Sequence, residues 1–273
     1  MQRFRLAPTP SGFLHRGNLF NFLLTEKRCW EAGGQLRLRI DDLDAARVRP
    51  QYLQHLFEVL PEAGIAWQDG PHTVAEQETQ YRQALRLPQY QAILQTLATS
   101  GNLFACRCSR TQLARESVKG CYSGRCLRLN LPLDAPDVAW RVDTQAAATV
   151  VLHERRSGTL EADIHRVNPF FIVRRRDGLP AYQVASLSDD LEYGITQIVR
   201  GKDLLQSSFS QLFLARLLGE RSFEAILFEH HDLLQRPDGE KLSKTAGDRL
   251  QSYDPSELLL QVAVLRQQVE RMS

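Results

Sequence analysis

The chain has 273 residues, of which 43% are hydrophobic, so it can bury a sizeable core in one large domain or two smaller ones. Lys and Arg number 34 against 32 Asp and Glu, and the resulting net charge of +2 does not by itself indicate nucleic-acid binding. No apolar run approaches the roughly 20 residues of a membrane span, and the N-terminus lacks a signal-peptide pattern. We therefore expect a cytoplasmic protein, with no membrane partner, that acts as a monomer.

Hydrophobic periodicity in the first hundred residues predicts an α/β fold. Residues 2–6 alternate as a strand, a loop with two prolines and a glycine follows, and helical spacing then runs from Gly17 to Gly33-Gly34. Residues 35–40 alternate again. Strand, helix and strand in about 40 residues form a βαβ unit, which indicates a parallel sheet.

The elements predicted beyond this unit are less regular. Helices are expected over 51–63, 81–99, 206–218 and 255–271, and strands over 138–142, 148–152, 170–173 and 195–199. Between them the cysteine-containing segment 104–128 breaks the periodicity. The middle of the chain therefore resembles an insertion between two halves of one sheet.

His15-Arg16-Gly17-Asn18 stand where the first predicted helix begins. Unpaired N–H groups and a partial positive charge make a helix N-terminus suitable for binding phosphate. Gly17 permits a nucleotide to approach the backbone closely, and His15 can donate a hydrogen bond to phosphate oxygens as charge develops. Taken alone, the pattern is equally typical of an ordinary helix start.

A second pattern, Lys241-Leu242-Ser243-Lys244-Thr245, lies far along the chain. Two lysines three residues apart can converge on one polyphosphate, although the pattern alone is more typical of a solvated basic loop. H-x-G-N after the first strand and K-L-S-K-T about 220 residues later together resemble the paired HIGH and KMSKS signatures of class I aminoacyl-tRNA synthetases.

Within that class the chain resembles the glutamyl-tRNA synthetases. The matching segments are Arg5–Gly17, Arg39–Asp44, Ala181–Gln183, Ser188–Asp190 and Ile198–Leu204. The resemblance implies an α/β fold with a Rossmann-type parallel sheet, a zinc-bearing insertion and a short C-terminal helical piece. The implied domains are a catalytic domain in two halves (1–100 and 185–235), an RNA-binding insertion (101–184) and a C-terminal piece (236–273) without an anticodon-binding domain.

The resemblance also implies a role for individual residues. Arg5 and Arg200 would bind the two carboxylates of L-glutamate, because a guanidinium group can donate two parallel hydrogen bonds to a carboxylate. Asp41 would bind the α-ammonium group, Tyr182 would hydrogen-bond the substrate, and Ala7 and Thr9 would line the loop. The residues implied to contact ATP, which carries Mg²⁺, are Thr9, His15, Gly17, Asn18, Lys241 and Lys244, of which His15 and the two lysines would assist catalysis.

Asp41 departs from the family, which has Glu at this position. An aspartate carboxylate reaches about 1.5 Å less far, and a water molecule can fill such a gap. The sequence therefore leaves open whether the amino-acid preference is altered.

Four of the five cysteines lie between Cys106 and Cys126, which indicates a metal site in a reducing compartment. Generic zinc chemistry favours four thiolates, including Cys121, and free reduced thiols are the alternative without metal. Queuosine-modifying relatives of glutamyl-tRNA synthetase carry C-x-C followed by Y-x-x-x-C. That resemblance implies structural zinc bound by Cys106, Cys108, Tyr122 and Cys126, with Cys121 as the alternative fourth ligand.

The chain ends about 28 residues after the second lysine pattern, as in these queuosine-modifying relatives. They attach glutamate to the queuosine base in the anticodon of tRNA(Asp), so the implied partner is the tRNA(Asp) anticodon stem-loop. Basic residues available for RNA phosphates are Arg107, Arg110, Arg115, Lys119, Arg125, Arg128 and Arg174–Arg176. Alternatives are a paralogue that glutamylates another acceptor, a nucleotidyltransferase and a non-catalytic tRNA-binding paralogue.

Overall fold

The structure is a computed structural model that describes residues 1–116, 122–146, 149–234 and 255–272. Within these residues the strands are Arg3–Leu6 (β1), Gln35–Leu38 (β2), Leu103–Cys106 (β3), Ala139–Val142 (β4), Thr149–Glu154 (β5), Gly158–Asp163 (β6), Ile172–Arg174 (β7), Gln197–Gly201 (β8) and Leu227–His231 (β9). The α-helices are Arg16–Glu31 (α1), Pro50–Glu62 (α2), Val74–Glu76 (α3), Leu87–Thr99 (α4), Arg110–Glu116 (α5), Ile164–Val167 (α6), Tyr182–Glu192 (α7), Leu205–Leu218 (α8), Arg221–Glu224 (α9) and Pro255–Glu270 (α10).

The fold divides into two compact units. The first contains the described residues of Met1–Arg86, Ile195–Asp203 and Phe228–Ser273, and the second those of Leu87–Gly194 and Leu204–Leu227. None of the described helices combines the length and apolar character needed to cross a bilayer.

The predicted βαβ unit is confirmed in the first unit. Strands β1 and β2 pair in parallel, with a register that runs from Arg3 opposite Gln35 to Leu6 opposite Leu38. Helix α1 connects the two strands and contacts both of them. Its fully buried leucines pack with Phe4 of β1 and with the leucines of β2 in one hydrophobic core. Burial of these side chains on both elements fixes the helix against the sheet.

Helix α10 completes the core of the first unit. Its residues Leu258, Val262, Leu265 and Val269 are buried, and the helix contacts α1. Their spacing of three and four residues presents one apolar stripe, which explains why the sequence predicted this helix within one residue of its observed end.

The second unit contains antiparallel pairs. Strands β3, β4 and β7 form a sheet in that order, and β5 pairs with β6 as a hairpin. Helix α7 contacts α4 and α8. It is polar but buried, and Asp189 on it accepts a hydrogen bond of 2.7 Å from the buried Tyr90 hydroxyl.

Three predicted elements start at least two residues later than expected, and one of them is the strand predicted over 195–199, which begins as β8 at Gln197. The helix predicted over 81–99 begins as α4 at Leu87, because Arg82 adopts an extended conformation (ψ 136°) and Gln83–Arg86 form a 3-10 turn before the α-helix. The strand predicted over 170–173 begins as β7 at Ile172, because Phe170 has a positive φ of 53°. The Phe170 ring lies over Gly124, where an added Cβ would come within 2.6 Å of it.

Candidate active site and metal centre

The loop between β1 and α1 lies beside the chain that follows β2. The amide of Arg39 donates to the Leu6 carbonyl, and the amide of Asp41 donates to the Pro8 carbonyl, both at 2.9 Å. These bonds extend the parallel pairing past the carboxyl ends of the two strands. Ligands in open α/β sheets bind at this edge, so the loop and residues 39–42 form a candidate active site.

His15 caps helix α1 through its own side chain. Its Nδ1 accepts hydrogen bonds from the amides of Gly17 (3.1 Å) and Asn18 (3.3 Å), while the Asn18 Oδ1 accepts from the His15 amide (3.1 Å). An Nδ1 that accepts carries no proton, so a neutral imidazole keeps its proton on Nε2. The cap therefore turns the donor side of His15 away from the helix, as an interaction with phosphate requires.

Gly17 leaves space for this imidazole. A Cβ built on Gly17 would lie 3.0 Å from both Cε1 and Nδ1 of His15. Contacts this short force a neighbour to move, so a side chain at position 17 displaces the ring. Gly17 thus supports His15 directly, in addition to keeping the backbone accessible.

Asp41 and Arg39 form a buried ion pair. Arg39 Nε lies 2.7 Å from Oδ1 of Asp41, and its Nη2 lies 3.2 Å from Oδ2. The two residues are 3% and 8% exposed, so the fork holds the carboxylate in one orientation. Sequence reasoning assigned a role to Asp41 but none to Arg39, although their spacing of two on an extended chain points them to the same side.

Asp42 holds the segment after α3 in place. Its carboxylate accepts hydrogen bonds of 2.8 Å from Gln77 Nε2 and from the Gln83 amide, and the Gln83 side chain accepts from the Leu43 amide at 2.9 Å. Burial raises the pKa of Asp42, and these hydrogen bonds offset part of that rise. Gln77 and Gln83 were not singled out in the sequence, because polar residues in a segment without clear periodicity give no signal.

The structure places the remaining predicted substrate residues as follows. Arg5 is buried in β1, and Arg200 is buried in β8 with its guanidinium 5.4 Å from the centre of the Phe228 ring. Ala7 is half-buried and Thr9 exposed in the loop after β1. Tyr182 begins α7 in the second unit and is 40% exposed. Lys241 and Lys244 lie outside the described residues.

The second unit brings together the predicted metal ligands. The Tyr122 hydroxyl lies 3.5 Å from the sulfurs of both Cys106 and Cys108, and the sulfurs of Cys108 and Cys126 are 3.3 Å apart. All three sulfurs lie within 4.8 Å of one another. Cys121, the alternative ligand, lies outside the described residues.

The sulfur–oxygen separations match those around one tetrahedral ion, while the sulfurs of Cys108 and Cys126 lie about 0.5 Å closer than such an ion would hold them. Zinc–sulfur bonds of about 2.3 Å and zinc–oxygen bonds of about 2.0 Å give edges of roughly 3.8 Å between sulfurs and 3.5 Å between sulfur and oxygen. Burial pushes the pKa of Cys126 upward, but hydrogen bonds, foremost with Tyr122, outweigh this effect and lower it. Burial raises the pKa of Cys108 to about 11 and also raises that of Tyr122.

The surroundings of Tyr122 hold its ring in place. The Cys126 amide donates to the Tyr122 hydroxyl at 2.9 Å, and the Arg141 guanidinium lies 4.3 Å from the centre of its ring. Arg141 in turn donates to the Phe170 carbonyl at 2.7 Å. Three thiols and a phenol oxygen held together by these contacts are a donor set that fits a metal ion.

Comparisons with known proteins agree with these observations. The profile of the catalytic domain of class I tRNA synthetases (E and Q) matches residues 2–266. A glutamyl-Q tRNA(Asp) synthetase from Pseudomonas aeruginosa PAO1 is 37% identical over 241 residues, which cover 88% of this chain and 76% of the relative. One from Pseudomonas fluorescens Pf-5 is 38% identical with 88% and 75% coverage.

Solved structures show the same architecture. The glutamate-tRNA synthetase of Elizabethkingia anophelis aligns with a TM-score of 0.75 at 25% identity, covering 90% of this chain and 53% of that one. The chain thus spans about half the length of this synthetase. This similarity and the match to the catalytic-domain profile confirm the predicted α/β fold with parallel strands.

The parallel βαβ unit, the capped helix at its carboxyl edge and these matches define a class I aminoacyl-tRNA synthetase fold. The chain belongs to the family of class I glutamyl- and glutaminyl-tRNA synthetases, through their catalytic domain, and is a ligase.

Proposed function

We propose that this protein activates L-glutamate with ATP and transfers it to the queuosine base in the anticodon of tRNA(Asp). The observation that carries the proposal is the edge of the first unit, where the helix N-terminus capped by His15 adjoins the chain that bears Asp41. Such an edge serves a nucleotide phosphate beside a charged amino acid. The names of the relatives that share 37–38% of its residues support the choice of glutamate and of queuosine.

Activation joins glutamate to AMP. A carboxylate oxygen of glutamate attacks the α-phosphorus of ATP, and pyrophosphate leaves. His15 Nε2–H donates to a phosphate oxygen, the N-terminus of α1 attracts the phosphate charge, and Mg²⁺ travels with ATP. Gly17 and Asn18 maintain this cap, and Thr9 contacts the nucleotide from the loop. Lys241 and Lys244 contribute positive charge at the triphosphate.

To select glutamate, the site needs a protein group of opposite charge beside each of the three ionised groups of the substrate. The guanidinium groups of Arg5 and Arg200 bind its carboxylates, and the Asp41 carboxylate accepts from its ammonium group. A carboxylate offers about four acceptor positions, and Arg39 uses one on each oxygen of Asp41. The ion pair therefore fixes the orientation of the Asp41 carboxylate. Tyr182 hydrogen-bonds the substrate, and Ala7 provides a small wall.

Transfer follows without a protein nucleophile. A hydroxyl of the queuosine cyclopentene ring attacks the acyl carbon of glutamyl-adenylate, and AMP leaves. The protein contributes mainly by positioning the two reactants, which accounts for large rate effects in reactions of this kind. Exposed arginines of the second unit, including Arg107, Arg125 and Arg128, supply charge for RNA phosphates.

Zinc has a structural part in this proposal. Cys106, Cys108, Tyr122 and Cys126 would hold the ion, since the Tyr122 oxygen lies 3.5 Å from two of the sulfurs and the three sulfurs cluster within 4.8 Å of one another. Bound zinc would supply stability to the segment between β3 and β4, whose described residues form only the short helix α5 and a 3-10 turn at Arg125–Leu129. It would take no part in the transfer chemistry.

ATP–pyrophosphate exchange with each of the twenty amino acids, without RNA, tests the activation step. We expect glutamate to be the one amino acid that supports exchange. We expect His15→Ala to lower the exchange rate by about 100-fold, because the variant loses one hydrogen-bond donor to the charge that develops in the transition state. Exchange with another amino acid would contradict the glutamate assignment. An absence of exchange in the presence and absence of tRNA would favour the non-catalytic paralogue.

A further inference from the structure

The second unit contains a cavity that the glutamate, ATP and zinc sites do not use. Its volume is about 580 Å³, within the range of sites that hold small ligands. The side chains that matter to its chemistry come from four elements: Gln91 and Gln95 on α4, Asp134 before β4, Trp140 on β4 and Arg174 on β7.

One wall of the cavity is a stacked pair of flat groups. Trp140 and Arg174 are register partners in the antiparallel pair of β4 and β7, and the guanidinium carbon lies 4.8 Å from the centre of the indole. The Trp140 Nε1–H donates to the Leu133 carbonyl at 2.7 Å, and Arg174 donates to the Val138 carbonyl at 3.3 Å. Both side chains are half-buried, so they form a fixed platform that still has an accessible face.

The rim of the cavity carries hydrogen-bonding groups of mixed type. Gln91 and Gln95 are exposed and one helical turn apart, and each amide both donates and accepts. Asp134, also exposed, only accepts. Asp177 is already engaged by Arg175 at 2.6 Å and by the Leu179 amide at 3.2 Å, which fixes the turn that closes the cavity.

We propose that this cavity binds one unstacked base of the RNA substrate, a base with an exocyclic amino group. Aromatic rings and arginine planes are the surfaces on which proteins stack single-stranded bases. Glutamine amides read the edge of a base, and a carboxylate accepts from its amino group. Arg175 and Arg176, which follow the platform in sequence, supply positive charge for the adjoining phosphates.

This inference rests on the proposed function, because it assigns a second contact to the same RNA. The two claims can be tested apart, because binding of the base can be measured without glutamate or ATP, whereas glutamylation needs both. Binding and acylation therefore report on the two claims separately.

The test is the affinity of the full chain for a fluorescently labelled, queuosine-containing tRNA(Asp) anticodon stem-loop, measured by anisotropy. We expect Trp140→Ala to weaken binding by about 5- to 100-fold, the cost of losing one base stack, and Trp140→Phe to restore most of it. Circular dichroism and ATP–pyrophosphate exchange by the same preparations confirm that the variants are folded. Gln91→Ala should weaken binding several-fold.

Stem-loops with one loop base at a time replaced by an abasic site identify the bound base. The wild-type chain should bind one of these abasic RNAs more weakly than it binds the intact stem-loop. The Trp140→Ala variant should bind that same abasic RNA no more weakly than it binds the intact stem-loop. Unchanged affinity in Trp140→Ala, equal abasic effects in both proteins, or no binding of the stem-loop by the wild-type chain would overturn the inference. Stem-loop binding that depends on Trp140, without glutamylation of that RNA, would instead support the inference and contradict the proposed function.

Discussion

His15 and Asn18 cap each other across the first turn of helix α1. The His15 ring nitrogen accepts from the Asn18 amide, and the Asn18 side-chain oxygen accepts from the His15 amide. The His15 amide thereby gains an acceptor, the Asn18 amide gains a second one beside the His15 carbonyl at 2.8 Å, and the helix itself sets the orientation of the imidazole. Asn18 stands where the HIGH signature has its second histidine, and here its side chain serves the helix start.

Replacing Asn18 with Ala should loosen this cap. We expect the free energy of unfolding to fall by about 1 kcal/mol and KM for ATP to rise, because the His15 amide loses its acceptor and the imidazole loses a constraint. Urea denaturation and ATP–pyrophosphate exchange measure the two effects. Asn18→Asp retains an oxygen at the same position and is the matched control. Equal losses in both variants would argue against the capping role.

Gly17→Ala separates activity from stability. The added methyl group meets the His15 ring at 3.0 Å and must displace it, whereas alanine is at least as favourable as glycine in a helix. We expect exchange activity to fall by about 10- to 100-fold with no loss of thermal stability. A variant that is fully active would show that the position of the His15 ring is unimportant.

Tyr122→Phe tests the fourth zinc ligand. The change removes one donor atom and leaves the Cys126 amide without its acceptor, at a cost of about 1–3 kcal/mol. We expect zinc affinity, measured by competition with a chromogenic chelator, to fall by at least about tenfold. Cys121→Ser should retain zinc. The opposite pattern in these two variants would make Cys121 the ligand.

His55 should make stability depend on pH. Its ring packs edge-on against Phe13 of the loop between β1 and α1, with 5.0 Å between the ring centres. Burial lowers the pKa of His55 below the ordinary 6.5, and the charge of Glu58 offsets only part of that decrease. As the pH falls, His55 therefore gains its proton at a higher pH in the unfolded chain than in the folded chain. The stability associated with neutral His55 is complete above about pH 6.5 and is lost as the pH falls from there towards the lowered folded-state pKa.

Urea denaturation between pH 5 and pH 8 measures this dependence. We expect His55→Leu to reduce the slope of unfolding free energy against pH below 6.5 by up to about 1.4 kcal/mol per pH unit. A residual slope should remain, because burial also lowers the pKa of His231. The exposed His153→Leu variant serves as control and should retain the full slope. An unchanged slope in His55→Leu would contradict a lowered pKa at His55.

Local patterns were sufficient to predict the βαβ part of the first unit. A loop with two prolines and a glycine precedes helix α1, the helix ends before Gly33, which has a positive φ of 55°, and the flanking strands alternate clearly. The chain order of these elements then implies the parallel pairing and the position of the candidate site. Three of the four predicted metal ligands are thiols whose clustering was likewise visible in the sequence.

Tertiary interactions explain what the sequence did not show. Helix α7 was not predicted, because Ser186, Ser188, Asp189 and Asp190 remove any apolar stripe, yet all four are buried. Asp189 is satisfied by Tyr90, almost a hundred residues earlier in the chain. Strands β3, β6 and β9 are short and were also not predicted. Hydrogen bonds between distant residues leave no periodic trace in the sequence.

Glutamylation of tRNA tests the central claim most directly. Purified protein, ATP and radiolabelled glutamate would be incubated with tRNA from cells that make queuosine and, separately, from cells that do not. We predict that label enters tRNA(Asp) from the first source only and that removal of the 3′-terminal adenosine before the assay does not change this result. Equal labelling of both tRNA samples, or labelling confined to the 3′ end, would contradict the account.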